Sequence, residues 1–345
     1  MRGRKNSHIY LFFIMTFLWA IIGLRDTSVG ADTLGYTEDF HRFASMSFPE
    51  MWHYAFQTKE PLYVIISWLP SLVSDNYTSF LLVWALFPIC SLYMVFKREL
   101  QDSVDYMIAI LVFFLLGLFA FYVAGIRQTA ALSIMLYASK YLRSLNYRSL
   151  RTIICNKSIY TFCIYTLIAY NIHNSSLLFI CAIPCLFIKV RWWYIILVIV
   201  LFPLSKFVHL DQIVVLSKFF FEDRFANYGT VYESSQSISA MIMQVILFVL
   251  CFIARDKLQK KDSQNAFLFN MMFVGLIFQS LSGMLAEMAR VSFYFSMFAM
   301  VLVPRALKEY SPNLKLLVYC CFVAFSLYYL FFLTGSNLPV YHSAL

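Results

Sequence analysis

The chain lacks the residues that make a water-soluble surface. Only 13% of its 345 residues are charged and 61% are hydrophobic, whereas a soluble domain carries about 25% charged and about 45–50% apolar residues. That deficit excludes a soluble globular domain, and with it disorder, coiled coil and collagen. Ten Gly and nine Pro are too few for long flexible linkers. No repeat of 20–50 residues is visible, which leaves one domain over 1–345. The eight cysteines lie in or beside apolar runs. Cys181 and Cys185 share a helix face, but two thiols without further ligands do not make a zinc site. There is no P-loop, no GxGxxG, no HExxH and no DxD, so neither a nucleotide cofactor nor a metal is expected. Nucleic acid is excluded as a partner although the formal net charge is +9, because topology accounts for that charge.

What the chain has in abundance is long apolar runs. Lipid offers the backbone no hydrogen-bond partner, so each run is expected to be a helix. The expected fold is an all-α, polytopic transmembrane bundle. Its crossings fall near 9–24, 78–96, 106–124, 127–142, 159–172, 176–188, 192–209, 237–254, 264–284, 291–303 and 316–333, eleven in all. Arg2, Arg4 and Lys5 precede the first run, and no A-x-A cleavage site follows it. It reads as a retained first helix. Pro61 to Val73 is too short to span and reads as re-entrant or interfacial on the outer side.

Charge sorts the loops. With the N-terminus in the cytoplasm, the inner loops and snorkelling Lys140 hold 19 of the 27 basic residues and six of the 18 acidic ones. Counting 61–73 as a crossing would put the basic loops 143–158 and 255–263 outside, so parity favours re-entry. Two long outer segments remain, about 25–77 and 210–236. The first mixes charges with Phe40, Phe43, Met46, Phe48, Met51, Trp52 and Tyr54, a pattern suited to a helix at the membrane surface. The second is placed to cap a cavity.

A few charges lie beside apolar sequence on the outer side, where an ionisable group must be paired, wet or functional. Arg127 sits between two apolar helices with almost no loop around it. Its guanidinium either holds a phosphate through paired N–H donors or pairs with a carboxylate. Gly125, Thr129 and Ser133 recur every four residues and admit a closely packed helix. Glu287 and Arg290 are three apart and either pair or present a cation to an outer cavity. His173 lies in Asn171-Ile172-His173-Asn174-Ser175-Ser176, as a packed or capping residue or as a proton acceptor. Arg25, Asp26 and Asp32 open the first outer loop, and Glu60 precedes Pro61.

The order of these motifs carries a resemblance. Gly30-Ala31-Asp32-Thr33 with Tyr36 follows the first helix, and Glu60-Pro61 precedes an apolar stretch. Then come Ile126-Arg127-Gln128-Thr129-Ala130, Ile172-His173-Asn174-Ser175-Ser176, and Arg290 leading through Phe293 and Tyr294 to Val303-Pro304. Pro339-Val340-Tyr341 ends the series, with Val340 inside an ending that is often Pro-Tyr. In this order the chain resembles the EpsG family of polysaccharide polymerases, which includes many Wzy-type O-antigen and capsule polymerases. The resemblance implies a multi-spanning glycosyltransferase of the bacterial cytoplasmic (inner) membrane with a periplasmic active side. It implies an undecaprenyl-pyrophosphate-linked glycan as substrate and a chain-length regulator as partner. On that basis Arg127 and Arg290 are assigned to the pyrophosphate, with Arg25 as a third, and Gln128 and Glu287 support them. Asp32 and His173, then Glu60, are the candidates to activate the acceptor hydroxyl. Two other readings stay open. One is a flippase or transporter of lipid-linked sugar, and the other is another membrane transferase such as an O-antigen ligase.

Overall fold

The backbone of so apolar a chain satisfies itself locally, and every regular element among the described residues is a helix. The computed structural model describes residues 2–30, 32–145, 156–188, 191–207, 237–284 and 287–328. The α-helices are α1 (Arg2–Gly23), α2 (Thr33–Ala44), α3 (Phe48–Gln57), α4 (Pro61–Trp68), α5 (Tyr77–Glu99), α6 (Ser103–Leu115), α7 (Leu118–Ala124) and α8 (Ile126–Arg143). They continue as α9 (Lys157–Ile172), α10 (Trp193–Leu204), α11 (Ile238–Ile253), α12 (Arg255–Lys261), α13 (Asn265–Ser280), α14 (Glu287–Ser296), α15 (Ala299–Leu307) and α16 (Pro312–Tyr328). The outer segment 210–236 and the Pro339 to Tyr341 ending lie outside the described residues, as do Arg148, Arg151 and Lys189 of the inner loops.

Not every apolar run is a straight membrane-length helix. Tyr77–Glu99 and Asn265–Gly283 are each long and apolar enough to cross, and three bent pairs raise the number to five. The bends are 67° between α6 and α7, 60° between α11 and α12, and 47° between α14 and α15. The first has a visible cause: Gly117, at φ +72°, takes a left-handed conformation between the two helices. The other apolar helices are 10–17 residues long, below the ~20 residues a straight crossing needs. The run read as 176–188 is wound as 3₁₀ helix over Asn174–Ala182 and Pro184–Leu186. At about 2.0 Å per residue, 3₁₀ winding reaches about a third further than the same residues would as α-helix.

Two helices form the centre. Helix α8 buries Gln128 to Ser133 without a break, and the small residues among them let neighbours approach. Ser91 of α5 donates to the Ser133 carbonyl, and Tyr122 shares a 2.9 Å hydrogen bond with the Ser133 hydroxyl. Of the four-residue series Gly125, Thr129 and Ser133, Ser133 makes the inter-helix contacts, whereas a Cβ at Gly125 would meet only Phe121. Helix α13 is buried nearly all round. A Cβ at Gly275 would come within 2.8 Å of the Ser296 backbone nitrogen, so α13 and α14 touch backbone to backbone there.

The first outer segment folds into α2, α3 and α4. Its aromatics divide between two faces: Phe40, Phe43 and Met51 are buried, while Phe48, Trp52 and Phe56 are exposed. The expected re-entrant piece is α4 continued by a 3₁₀ turn over Leu69–Leu72. It stays far short of a span.

Candidate functional site

The site begins with a polar residue that does not serve its own helix. Glu60 is the N-cap of α4, and Pro61 fills the first helical position. An N-cap side chain ordinarily accepts from the first turn, but Glu60 makes no such bond. Its carboxylate reaches two other helices. Oε2 accepts from Arg127 Nη1 at 2.8 Å. Oε1 accepts from His173 Nδ1 at 3.0 Å and from the Asn174 backbone N–H at 3.1 Å.

Each partner is presented by a helix end. Arg127 is the second residue of α8, two positions after Gly125. His173 follows α9 with extended backbone, φ −156° and ψ 120°, and its own N–H still bonds the Ala169 carbonyl at 2.9 Å. Three segments distant in sequence thus meet at one carboxylate. Burial raises the proton affinity of Glu60, but the hydrogen bond from His173 and the charge of Arg127 outweigh it. The carboxyl is held below the ordinary carboxylate range and is ionised at neutral pH. An ionised carboxylate only accepts, so the proton on the imidazole lies on Nδ1. In the neutral ring, Nε2 is then a free lone pair.

Tyrosines form the second wall. The Arg127 guanidinium lies 4.7 Å from the Tyr63 ring centroid and 5.5 Å from that of Tyr36. The Tyr36 hydroxyl lies within electrostatic reach of Arg127, Asp32 and Arg290. Arg290 and Tyr294 are one turn apart on α14. The Tyr294 hydroxyl shares a 3.1 Å hydrogen bond with Ser175, two residues beyond His173. Helix α14 is thereby fixed against the His173 loop, and Arg290 stands exposed one turn above that contact.

Glu60, Arg127 and His173 meet directly, and Asp32 and Arg290 connect to them only through their electrostatic effect on Tyr36. Arg25 does not join them. It is 1% exposed, and its guanidinium donates to the backbone carbonyls of Ile22 and Val29. It closes the C-terminal end of α1, where orphan carbonyls attract a cation, and its assignment to pyrophosphate is withdrawn. Glu287 and Arg290 form no ion pair among the described residues, so Glu287 does not orient Arg290. Arg127 does pair with a carboxylate, as one of its two readings expected. Gln128 is buried one residue on, without a hydrogen bond among the described residues.

Sequence reasoning missed Tyr63 and Asp39, and gave Tyr36 and Tyr294 no role. In a chain with 23 tyrosines none of these stands out. The available signal was local: Tyr36 and Tyr63 follow Asp32 and Glu60 at i+4 and i+3.

The EpsG family profile matches residues 8–343, nearly the whole chain. No curated protein and no solved structure matches it. The chain belongs to the EpsG family, which is associated with Wzy-type polymerases. It is an integral membrane protein of the polysaccharide-polymerase type.

Proposed function

Taking EpsG membership as the premise, we propose that this protein joins oligosaccharide repeat units carried on undecaprenyl pyrophosphate. The product is an O-antigen or capsular polysaccharide, made at the periplasmic face of the inner membrane by an eleven-crossing chain. The observation that carries the reading is the single carboxylate of Glu60 shared by Arg127 and His173.

Glycosyl transfer to a sugar hydroxyl needs a base and a held leaving group. In this reading His173 Nε2 takes the proton of the acceptor hydroxyl, while Glu60 fixes the tautomer and steadies the imidazolium that forms. The acceptor oxygen bonds to the anomeric carbon as the bond from that carbon to the pyrophosphate oxygen breaks. Negative charge grows on the pyrophosphate, where preorganised cations lower the barrier most. Arg127 and Arg290 supply them. Glu60 occupies only one arm of Arg127, and the Arg127 side chain stays 29% exposed. Asp32, at the N-terminus of α2 with no capping bond of its own, is the second candidate to orient the acceptor.

The test is a deletion strain complemented with point variants, with surface glycan resolved by chain length. Loss of polymerase leaves single-repeat glycan; loss of a ligase or flippase leaves none. Single-repeat glycan in the deletion strain and in Arg127→Ala and His173→Ala supports the proposal. Absence of all surface glycan rules it out in favour of the ligase or flippase readings.

A further inference from the structure

The reaction above leaves unexplained why Arg127 lies over a tyrosine that is itself held by a carboxylate. Tyr63 is 3% exposed and packs on Phe43, Tyr36 and Trp84, with ring centroids 5.9, 6.4 and 5.5 Å apart. Packing alone is as well served by phenylalanine. A buried hydroxyl needs a partner, and here Tyr63 Oη donates to Asp39 Oδ2 at 2.8 Å. Asp39 is carried by α2 and also pairs with Arg42, one turn further on.

We propose that Asp39 and Tyr63 are positioning residues that set the plane and the effective charge of Arg127, and through it the grip on the anionic leaving group. This rests on the preceding reading of Arg127. A guanidinium is planar, so two contacts from different directions restrict its orientation. Glu60 holds Nη1 at 2.8 Å, and Cζ lies over the Tyr63 ring, 4.7 Å from its centroid. Nε remains without a hydrogen-bond partner among the described residues. Asp39 acts from the far end of the ring. By accepting a hydrogen bond from the phenol it locks the ring rotation and enriches the π face in electron density, which strengthens the attraction for the cation. A second carboxylate directly on Arg127, beside Glu60, would make the cluster net negative and repel an anion. A polarised ring orients the guanidinium without neutralising it.

The test measures binding of a polyprenyl pyrophosphate to the purified full chain in nanodiscs, with the monophosphate as control. The proteins are the wild type, Tyr63→Phe, Tyr63→Leu, Asp39→Asn, Asp39→Glu and the Asp39→Asn/Tyr63→Phe double variant. Tyr63→Phe and Asp39→Asn are each expected to weaken pyrophosphate binding by about three- to tenfold. The double variant should bind no worse than either single. Tyr63→Leu, which removes the ring, should bind worst, and Asp39→Glu should recover part of the loss. In turnover the loss should appear in the KM for the lipid donor, with the pH profile unchanged. Melting curves screen for misfolding, and Tyr63→Phe, which keeps the ring, is the safest variant. Wild-type binding by both Tyr63→Phe and Asp39→Asn, or losses that multiply in the double variant, overturns the positioning role alone. Failure of the wild type to bind the pyrophosphate overturns the leaving-group reading and this proposal with it.

Discussion

At one end of α8, Arg127 meets Glu60; at the other, about 24 Å along the helix, Arg143 meets Glu99. Both carboxylates are shared by cations from separate helices, yet the two clusters are built differently. Glu99 is taken by both terminal nitrogens of Arg143, by Arg305 Nη2 at 2.7 Å and by Arg98 Nε at 2.6 Å. Arg305 also bonds the Glu99 carbonyl and Asn265. Nearby, Lys308 reaches Asp105 and Asp102, and Lys261 pairs with Glu309. The side chains of Glu99 and Arg143 are 7% and 5% exposed. That end is a clamp that ties α5, α8, α13 and α15 together. The Glu60 end holds one arm of one arginine and one nitrogen of one histidine, and leaves the rest of both for something else. An ion pair that takes both terminal nitrogens of an arginine, as at Arg143, serves the fold, while one that takes a single terminal nitrogen, as at Arg127, leaves the other to orient groups for chemistry.

Substitutions at the two ends should separate stability from activity. The largest effect is expected for Glu99→Ala, which strands the buried guanidinium of Arg143 and takes a partner from half-buried Arg305, and should cost about 3–5 kcal/mol, seen as a lower melting midpoint and less protein in the membrane. A wild-type melt for that variant would break the comparison. Arg127→Ala should leave membrane level and melting close to wild type while polymer formation falls at least about 10²-fold. Long glycan chains persisting in that strain would remove Arg127 from the mechanism. Glu60→Gln keeps an acceptor for His173 and Asn174 but removes the charge, and turnover should fall by about tenfold. The smallest effect is the pH dependence that Glu60 imposes on stability. Its carboxyl is more acidic in the folded protein than in the unfolded chain. Its contribution is therefore complete above the ordinary value of roughly pH 4.3 and is lost as pH falls through the lower folded value. Acid titration of the melting point should be shallower in Glu60→Gln, and an unchanged titration would show that the carboxylate is not stabilised by its partners.

The residues that sequence reading found share one property: each is a polar group in an apolar setting, where contrast makes it visible. Glu60, Arg127 and His173 stand out on that ground, and the structure brings all three together. Arg25 had the same contrast and a different fate, because no local pattern shows that the preceding helix turns its last carbonyls toward it. Tyr63 and Asp39 carried no contrast at all, one being an aromatic among aromatics and the other a charge in a charged loop. The broken helices escaped notice for a related reason. Hydropathy sums over a window and is blind to the winding inside it, so the 3₁₀ run after His173 and the bend at Gly117 read as ordinary apolar helix.

The sequence alone set the solvent and the helical class, because each follows from transfer free energies added over neighbouring residues. Only the tertiary structure decided which charge meets which. Glu60 finds Arg127 across 67 residues and His173 across 113, and Glu99 finds Arg305 across 206. Coulomb attraction and hydrogen bonding act over a few ångströms, so what an arginine does is set by the groups that helix packing brings within that reach.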